Sequence, residues 1–419
     1  MNKTYKAGLL GKFVKNSYSK EIYYAVFDKI DYKNYVIKKP EDLDLILTEK
    51  DFDFVNITNP YKKTVIPFLD TISKTVKETG VCNLIINKNG VLFGYNTDAY
   101  GFESLLKKQN IDISNKNILI LGNGATSDTV KYVLKQKNPK SIVCGCRNIR
   151  KDEDVLFENI KSKKSFDIII NTTPVGTLKN DKELIDLKEY QNLKTFIDVI
   201  YNPYRTKAMI SAKELGIGFV GGIDMLLYQA QMAHNLVVKG FYPSFIWEDL
   251  KLRIVLSHIN ITFIGLPTSG KTKICKELKK DLKASYIDTD EVIEKTAKKK
   301  IHKIFSQYGE EVFRDLEKEV VKAVCNVEGY FISTGGGTVI NKENYKRLAR
   351  RGFFVYLKKT NFDDFVNDGK RPLIKTKDDL KRLYYKRNPI YEKIADLTVS
   401  SDADISEVIM EVKNAILNS

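Results

Sequence analysis

The sequence predicts an α/β protein built on parallel sheets, and three observations point there. Short β-branched runs such as "NILILG", "SIVCGC", "FDIIINTTP" and "TFIDVIY" alternate with longer helical patterns, the rhythm of parallel layers. Two strand-to-helix junctions carry glycine turns, "LGNGATS" and "GLPTSGKT". The chain has 419 residues, too many for one ordinary core, so two or three domains are expected.

Composition narrows the function classes. Hydrophobic content of 43% with 29% charge belongs to a folded globular chain. No apolar stretch approaches the roughly 20 residues of a membrane span, and the start "MNKTYKAGLLGKF" lacks a signal-peptide core. Cys82, Cys144, Cys146, Cys275 and Cys325 show no repeated spacing, so reduced thiols and a cytoplasmic setting are expected. The net charge of +16 is spread over lysine-rich stretches interleaved with acids, without a nucleic-acid motif. The expected partners are small anions, with no nucleic acid and no membrane.

In chain order, residues 1 to 96 are expected to hold strands at "YAVFDK", "FDFVNIT" and the hairpin "NLIINKNGVLFGYN", turning at Asn89–Gly90. A Rossmann-like lobe follows over residues 98–222. "GGIDMLLYQAQMAHNLVVKG" reads as one amphipathic helix, returning residues 223–250 to the first lobe of residues 1–97. "YPSFIWEDLKLRIVLSH" is the least periodic connection, so residues 251–258 are expected as a linker. A P-loop α/β/α domain over 259–419 completes the chain.

In "GLPTSGKT", Gly265 and Gly270 permit a backbone path that turns N–H groups toward one phosphate, with Ser269 in the loop. Lys271 opens a helix and reaches terminal phosphates, while Thr272 offers its hydroxyl to magnesium. In "SYIDTDEVI", alternation sends Asp288 and Asp290 the same way from a strand end. One can hold magnesium while the other takes the proton of an attacking hydroxyl; Asp290 also suits a helix N-cap. Arg314, Arg371 and Arg387 imply an anionic acceptor or a phosphoryl transition state.

The order P-loop, D-T-D, F-R-x-x-E, G-G-G, R-P-L, R-x-P-x-Y resembles shikimate kinase over about residues 258 to 419. The resemblance implies ATP and magnesium, with Thr272 and Asp288 at the metal and Asp290 at the shikimate hydroxyls. It implies Arg314 and Arg387 at the substrate carboxylate, Gly335, Gly336 and Gly337 along the ring, and Arg371 as a lid.

Three stretches of the first 100 residues carry polar groups in apolar surroundings. Ser17 and Ser19 precede a helix, where hydroxyls and free N–H groups can receive a carboxylate or serve as caps. "NITNPYKK" ends a strand on Asn56 and Thr58 and turns into Lys62, and "GYNTD" ends on Asp98. A lysine ammonium held by a carboxylate can deliver a proton to a carbonyl oxygen as hydride reaches the carbon. Lys62 with Asp98 is the expected pair, and Lys63 competes for the lysine's part. Gly122, Gly124 and Ala125 form the dinucleotide-type turn, with Ser127 in the third small position. After "SIVCGC" come Arg147, Arg150 and Lys151 where an acid would select NAD, so NADP(H) is favoured.

Together S-x-S, N-x-T-x-P-x-K, G-Y-N-T-D, G-x-G, D-x-I-Y-N-P and M-L-x-x-Q-A resemble shikimate dehydrogenase over about residues 5 to 250. The resemblance implies Ser17 and Ser19 at the substrate carboxylate and Thr58, Asn83, Asp98 and Gln229 at the ring hydroxyls. It implies Tyr201 and Gly222 near the nicotinamide. The function implied is reduction of 3-dehydroshikimate by NADPH followed by phosphorylation of shikimate by ATP. The alternative is a quinate/shikimate dehydrogenase with an inactive or regulatory kinase-like domain.

Overall fold

A computed structural model describes residues 3–12, 14–15, 17–160, 165–240, 243–282, 284–363 and 373–418. By contact the chain divides into two units, Met1–Asn202 with Leu215–Leu250, and Pro203–Glu214 with Lys251–Ser419.

The first unit holds two six-stranded sheets. One comprises β1 (Tyr5–Gly11), β2 (Ile30–Val36), β3 (Phe54–Ile57), β4 (Thr71–Ile72), β5 (Leu84–Lys88) and β6 (Val91–Tyr95), in the order β2-β1-β3-β5-β6-β4. β5 runs antiparallel to both β3 and β6, and the remaining pairs are parallel. The hairpin between β5 and β6 turns on Asn89 and Gly90, both at positive φ (54° and 85°), as a two-residue turn of this kind requires. The strand expected over "YAVFDK" is corrected. Its first three residues, 24–26, end the helix Ser19–Val26, whose Ile22, Tyr23 and Val26 are buried on one face, and Phe27 is the C-cap. The sheet takes its strand from "KAGLL" instead, because only β1 can pair with both β2 and β3.

The second sheet comprises β7 (Asn117–Leu121), β8 (Ser141–Cys146), β9 (Asp154–Leu156), β10 (Ile168–Asn171), β11 (Thr195–Asp198) and β12 (Gly218–Val220), in the order β12-β11-β10-β7-β8-β9. Its strands are all parallel. Ile118 to Ile120 and Ile169 and Ile170 are fully buried, the unbroken apolar runs of a sheet covered on both faces. The five cysteines are unpaired, and Cys144 and Cys146 are buried in β8.

The second unit is built on a parallel sheet of β13 (Asn260–Ile264), β14 (Ser285–Asp288), β15 (Tyr330–Ser333), β16 (Gly352–Lys358) and β17 (Leu397–Ser400), ordered β14-β15-β13-β16-β17. Ile264, Ile332, Phe354 and Tyr356 lead its core, which Ile210 joins. Arg205 meets Asp396 at 2.7 Å, both side chains under a tenth exposed, and Lys213 bonds the same carboxylate.

Residues 251–258, expected as a linker, are the second half of the helix Ser244–His258, and the division between the two units falls inside that helix, after Leu250. Pro243 stands just ahead of it, where a missing N–H costs nothing. Trp247, Leu250 and Ile254 recur at helical spacing and are buried. No helix among the described residues is long and apolar enough to cross a membrane.

Candidate active sites

In the first unit the turn after β3 presents Lys62, and the helix Thr97–Lys108 after β6 presents Asp98 in its first turn. The Lys62 Nζ donates to Asp98 Oδ2 at 2.6 Å, with the two side chains 12% and 11% exposed. Asp98 Oδ1 accepts from Asn83 Nδ2 at 2.9 Å, and the same amide donates to Thr97 Oγ1 at 2.9 Å. Asn83 Oδ1 accepts the Thr97 backbone N–H at 2.7 Å, satisfying one of the N–H groups that the start of this helix leaves unpaired. Gln229 Oε1, from the helix Ile223–Val238, accepts from Thr97 Oγ1 at 3.3 Å. Lys62, Asp98, Asn83 and Gln229 therefore share one network, with an ammonium locked against a carboxylate.

Ser17 and Ser19 approach to 2.8 Å between hydroxyl oxygens, and the Ser19 N–H donates to Ser17 Oγ. Tyr201 packs its ring 5.1 Å from that of Tyr18, which stands between the two serines. Burial raises the Tyr201 hydroxyl above its ordinary pKa. Thr58 sits against the end of β1, its backbone N–H donating to Leu10 O at 2.9 Å. Gly222 leaves no room for a side chain: a Cβ there would lie 2.1 Å from Val199 O.

The dinucleotide-type turn has Gly122 at φ +104°, with a Cβ position 2.9 Å from the Thr173 methyl, and Gly124 just before the helix Ala125–Lys135. Asn123 Nδ2 donates to Asn148 O and to Asp154 Oδ2, both at 2.8 Å. Asp154 Oδ2 also accepts the backbone N–H groups of Arg150 and Lys151. The basic segment is thus tied to the glycine turn, with Arg147 and Arg150 exposed at the end of β8. Such a turn, with two exposed guanidinium groups beside it, fits a dinucleotide with a 2′-phosphate. Lys63 is turned to Asp128 Oδ2 at 2.6 Å, away from Asp98, while Lys151 meets Asp128 Oδ1 at 2.8 Å. Burial works to raise the Asp128 carboxyl, but the ammonium groups of Lys151 and Lys63 outweigh it and hold its pKa low.

In the second unit, β13 leads into the P-loop and the helix Lys271–Leu282. Gly265 (φ +143°) and Gly270 (φ +84°) adopt conformations that side chains disfavour. Lys271 is 7% exposed and its ammonium donates to Gly265 O at 3.1 Å and Leu266 O at 2.7 Å. Buried Ser269 is within 3.4 Å of it. Thr272 Oγ1 donates to Asp288 Oδ2 at 2.6 Å, the pairing expected of two groups that share a magnesium shell. Among the described residues no group of three or more acidic, histidine or cysteine side chains is arranged to hold a metal ion by itself. A magnesium here would take its other ligands from phosphate and water.

One detail of the carboxylate pair is corrected. Asp288 ends β14, but Asp290 lies in the first turn of the helix Thr289–Ala297, so strand alternation does not relate them. Asp288, not Asp290, is the cap: its Oδ1 accepts the N–H groups of Asp290 and Glu291. Relieved of capping, Asp290 is free to face Gly335, whose Cβ position lies 2.6 Å from Asp290 Oδ1. That oxygen is buried without a hydrogen-bond partner among the described residues. Burial first, and the charge of Asp288 second, push the Asp290 carboxyl up to about 7.

Arg314 bonds Glu310 and Glu317 and stands 2.6 Å from the Cβ position of Gly337. Arg387 donates to Gly336 O at 2.9 Å, and Tyr391 reaches the same oxygen. A cleft of about 400 Å³ gathers Lys271, Thr272, Asp288, Asp290, Arg314 and Arg387 around the three glycines. Arg371 lies outside the described residues. Reasoning from the sequence gave Thr97 no role within "GYNTD" and missed Asp128 and Ser333, the last bonding Thr272 at 3.2 Å. It also gave no role to Glu317, buried at 1%, which holds Arg314 and accepts from Thr338 Oγ1; the glutamate of F-R-x-x-E was the available signal.

One chain therefore joins a two-lobed dinucleotide-type α/β unit to a P-loop phosphotransferase-type unit. Family models agree. That for the shikimate dehydrogenase substrate binding domain matches residues 9–85, and that for shikimate kinase matches residues 267–417. A shikimate dehydrogenase (NADP(+)) of Methanococcus vannielii is 31% identical over 270 residues, 58% of this chain and 94% of that protein. One from Clostridium botulinum is 34% identical over 248 residues, 55% of this chain and 96% of the relative. Among solved structures, shikimate dehydrogenase 1 from Peptoclostridium difficile is 30% identical with TM-score 0.56, covering 60% of this chain and 99% of that one. A chorismate mutase/shikimate 5-dehydrogenase fusion protein from Clostridium acetobutylicum is 27% identical with TM-score 0.55, covering 59% and 96%. The chain belongs to the shikimate dehydrogenase family and carries a shikimate kinase domain in its C-terminal part.

Proposed function

We propose that the N-terminal portion reduces 3-dehydroshikimate to shikimate with NADPH and that the C-terminal portion phosphorylates the product with ATP and magnesium. In this reading residues 1–97 with 223–250 bind the ring, residues 98–222 bind NADP(H), and residues 259–419 are the kinase. The observation that carries it is a buried Lys62–Asp98 pair in the same chain as a P-loop with its own carboxylate pair.

Bound NADPH supplies hydride to the carbonyl carbon. Lys62 delivers a proton to the carbonyl oxygen, and Asp98 holds the ammonium in place and orients the neighbouring hydroxyl together with Asn83 and Gln229. Ser17 and Ser19, with Tyr201, offer hydroxyl donors to the ring carboxylate. The hydroxyl made by reduction is the one phosphorylated next. Asp290 accepts its proton as the oxygen bonds the γ-phosphorus and ADP leaves, while Lys271 balances charge on the leaving phosphates. Arg314 and Arg387 hold the ring carboxylate on the glycine shelf of 335–337.

The test is a one-pot assay with 3-dehydroshikimate, NADPH, ATP and magnesium. The expected outcome is NADPH oxidation, ADP release and shikimate 3-phosphate. Shikimate accumulating with ATP untouched would reject the kinase half of the proposal.

A further inference from the structure

Two adjacent residues on the helix Ala125–Lys135 reach the two segments that carry the proton-delivery pair. Asp128 bonds Lys63, the neighbour of Lys62, at 2.6 Å. Thr129 Oγ1 accepts from Asn96 Nδ2 at 3.0 Å, and Asn96 stands at the N-cap of the helix that carries Asp98.

An asparagine at an N-cap ordinarily accepts a backbone N–H from the first turn. Asn96 makes no such bond, while Asn83 Oδ1 accepts the Thr97 N–H at the first helical position. The Asn96 amide is spent on Thr129 and on Thr79 Oγ1 at 3.2 Å. Its Oδ1 is buried and finds no donor among the described residues. A buried amide diverted from its local partner marks a contact the fold maintains across elements. The Lys63 ion pair is likewise unlike an ordinary surface pair, because Asp128 is only 4% exposed.

We propose that Asp128 and Thr129 are positioning residues for the dehydrogenase reaction. Through Lys63 and Asn96 they hold the Lys62 turn and the Asp98 helix in register. The inference rests on the reading above that Lys62 and Asp98 deliver the proton. It adds that the helix opening at the glycine turn also sets the reacting pair, so the element that receives the dinucleotide fixes the acid beside it. Proton delivery tolerates little misplacement, so loosening either contact lowers turnover more than it lowers substrate affinity.

The experiment uses the full chain, oxidising shikimate with saturating NADP+ and following NADPH formation. Lys63→Met, Asp128→Asn, their double variant and Thr129→Val are compared, with Lys62→Met as reference. Each single variant is expected to lower kcat about tenfold, with KM for shikimate changed less than about twofold. The double variant is expected to fall no further in kcat than the singles, since each already breaks the Lys63–Asp128 contact. The Lys151 contact that Asp128→Asn also loses faces the dinucleotide rather than the Lys62 turn. The factor is the same with NAD+, and phosphorylation of shikimate in the same preparation is unchanged. A kcat within about twofold of wild type in both Lys63→Met and Asp128→Asn overturns the proposal. So do independent losses that multiply in the double variant. An effect confined to KM for NADP+ also overturns it, assigning Asp128 to the 2′-phosphate through Lys151 instead. Lys63→Met guards against misfolding, because it removes the contact from its half-exposed side. Full activity in Lys62→Met would instead sink the underlying function.

Discussion

Replacing Lys62 by Met removes the proton donor while keeping most of the side-chain stem. Loss of a positioned general acid costs about 10²–10⁴ in rate. Both members of the pair are nearly nine-tenths buried, which leaves bulk water poorly placed to substitute for the ammonium. We therefore expect the upper half of that range, about 10³–10⁴ in kcat/KM, or roughly 4–5.5 kcal/mol of barrier. Stability changes far less, because Asp98 keeps the Asn83 amide on its other oxygen. Losing one charged partner there costs about 1–3 kcal/mol. The assay is NADP+-dependent oxidation of shikimate, with ATP-dependent phosphorylation by the same preparation as the folding control. A variant within tenfold of wild type in the first assay would refute the reasoning, since the proton would then travel by another route. Loss of both activities in a folded protein would contradict independent sites.

Three further outcomes are expected. Asp290→Asn removes the acceptor of the hydroxyl proton and is expected to abolish phosphorylation while raising metal-free stability at high pH. The Asp290 carboxyl titrates near 7 when folded against 3.8 unfolded, so its ionisation opposes folding increasingly as pH rises between those values. Below pH 4 the two proteins should unfold alike; above pH 7 the variant should gain up to about 4 kcal/mol by denaturant titration, and no pH dependence in the difference would reject this. Arg147→Ala is expected to raise KM for NADPH more than for NADH, and equal effects would remove the 2′-phosphate argument. Asp396→Asn leaves Arg205 and Lys213 buried against a neutral amide, at a cost of about 3–5 kcal/mol seen in thermal or denaturant unfolding of that unit.

Local chemistry made much of this legible. Runs such as "NILILG" and "FDIIIN" are apolar on both faces, so they could only be buried parallel strands, and both are. The two glycine turns were readable for a similar reason: positive φ at Gly122, Gly265 and Gly270 demands that residue. Mixed patterns were harder. "YAVFDK" satisfies strand propensity and a helical face alike, and packing chose the helix. "SFIWEDLKLRIVLSH" hid its helical face because its charges are spread around the axis, and burial of Trp247, Leu250 and Ile254 decided it.

By itself, the sequence determined which chemical groups are available: a Lys and an Asp in two separate motifs, a P-loop, an Asp pair, and arginines for an anion. It determined these because motif residues sit at fixed spacing within a single strand, turn or helix. Tertiary structure alone decided which groups meet. Nothing local says that Lys62 rather than Lys63 faces Asp98, since neighbours in a turn point differently and only the surrounding carboxylates assign them. Nor does spacing say that Asp288 caps a helix so that Asp290 is left bare and hard to ionise. The first outcome depends on carboxylates more than thirty residues away, and the second on where the strand ends and on the burial of Asp290, neither of which periodicity encodes.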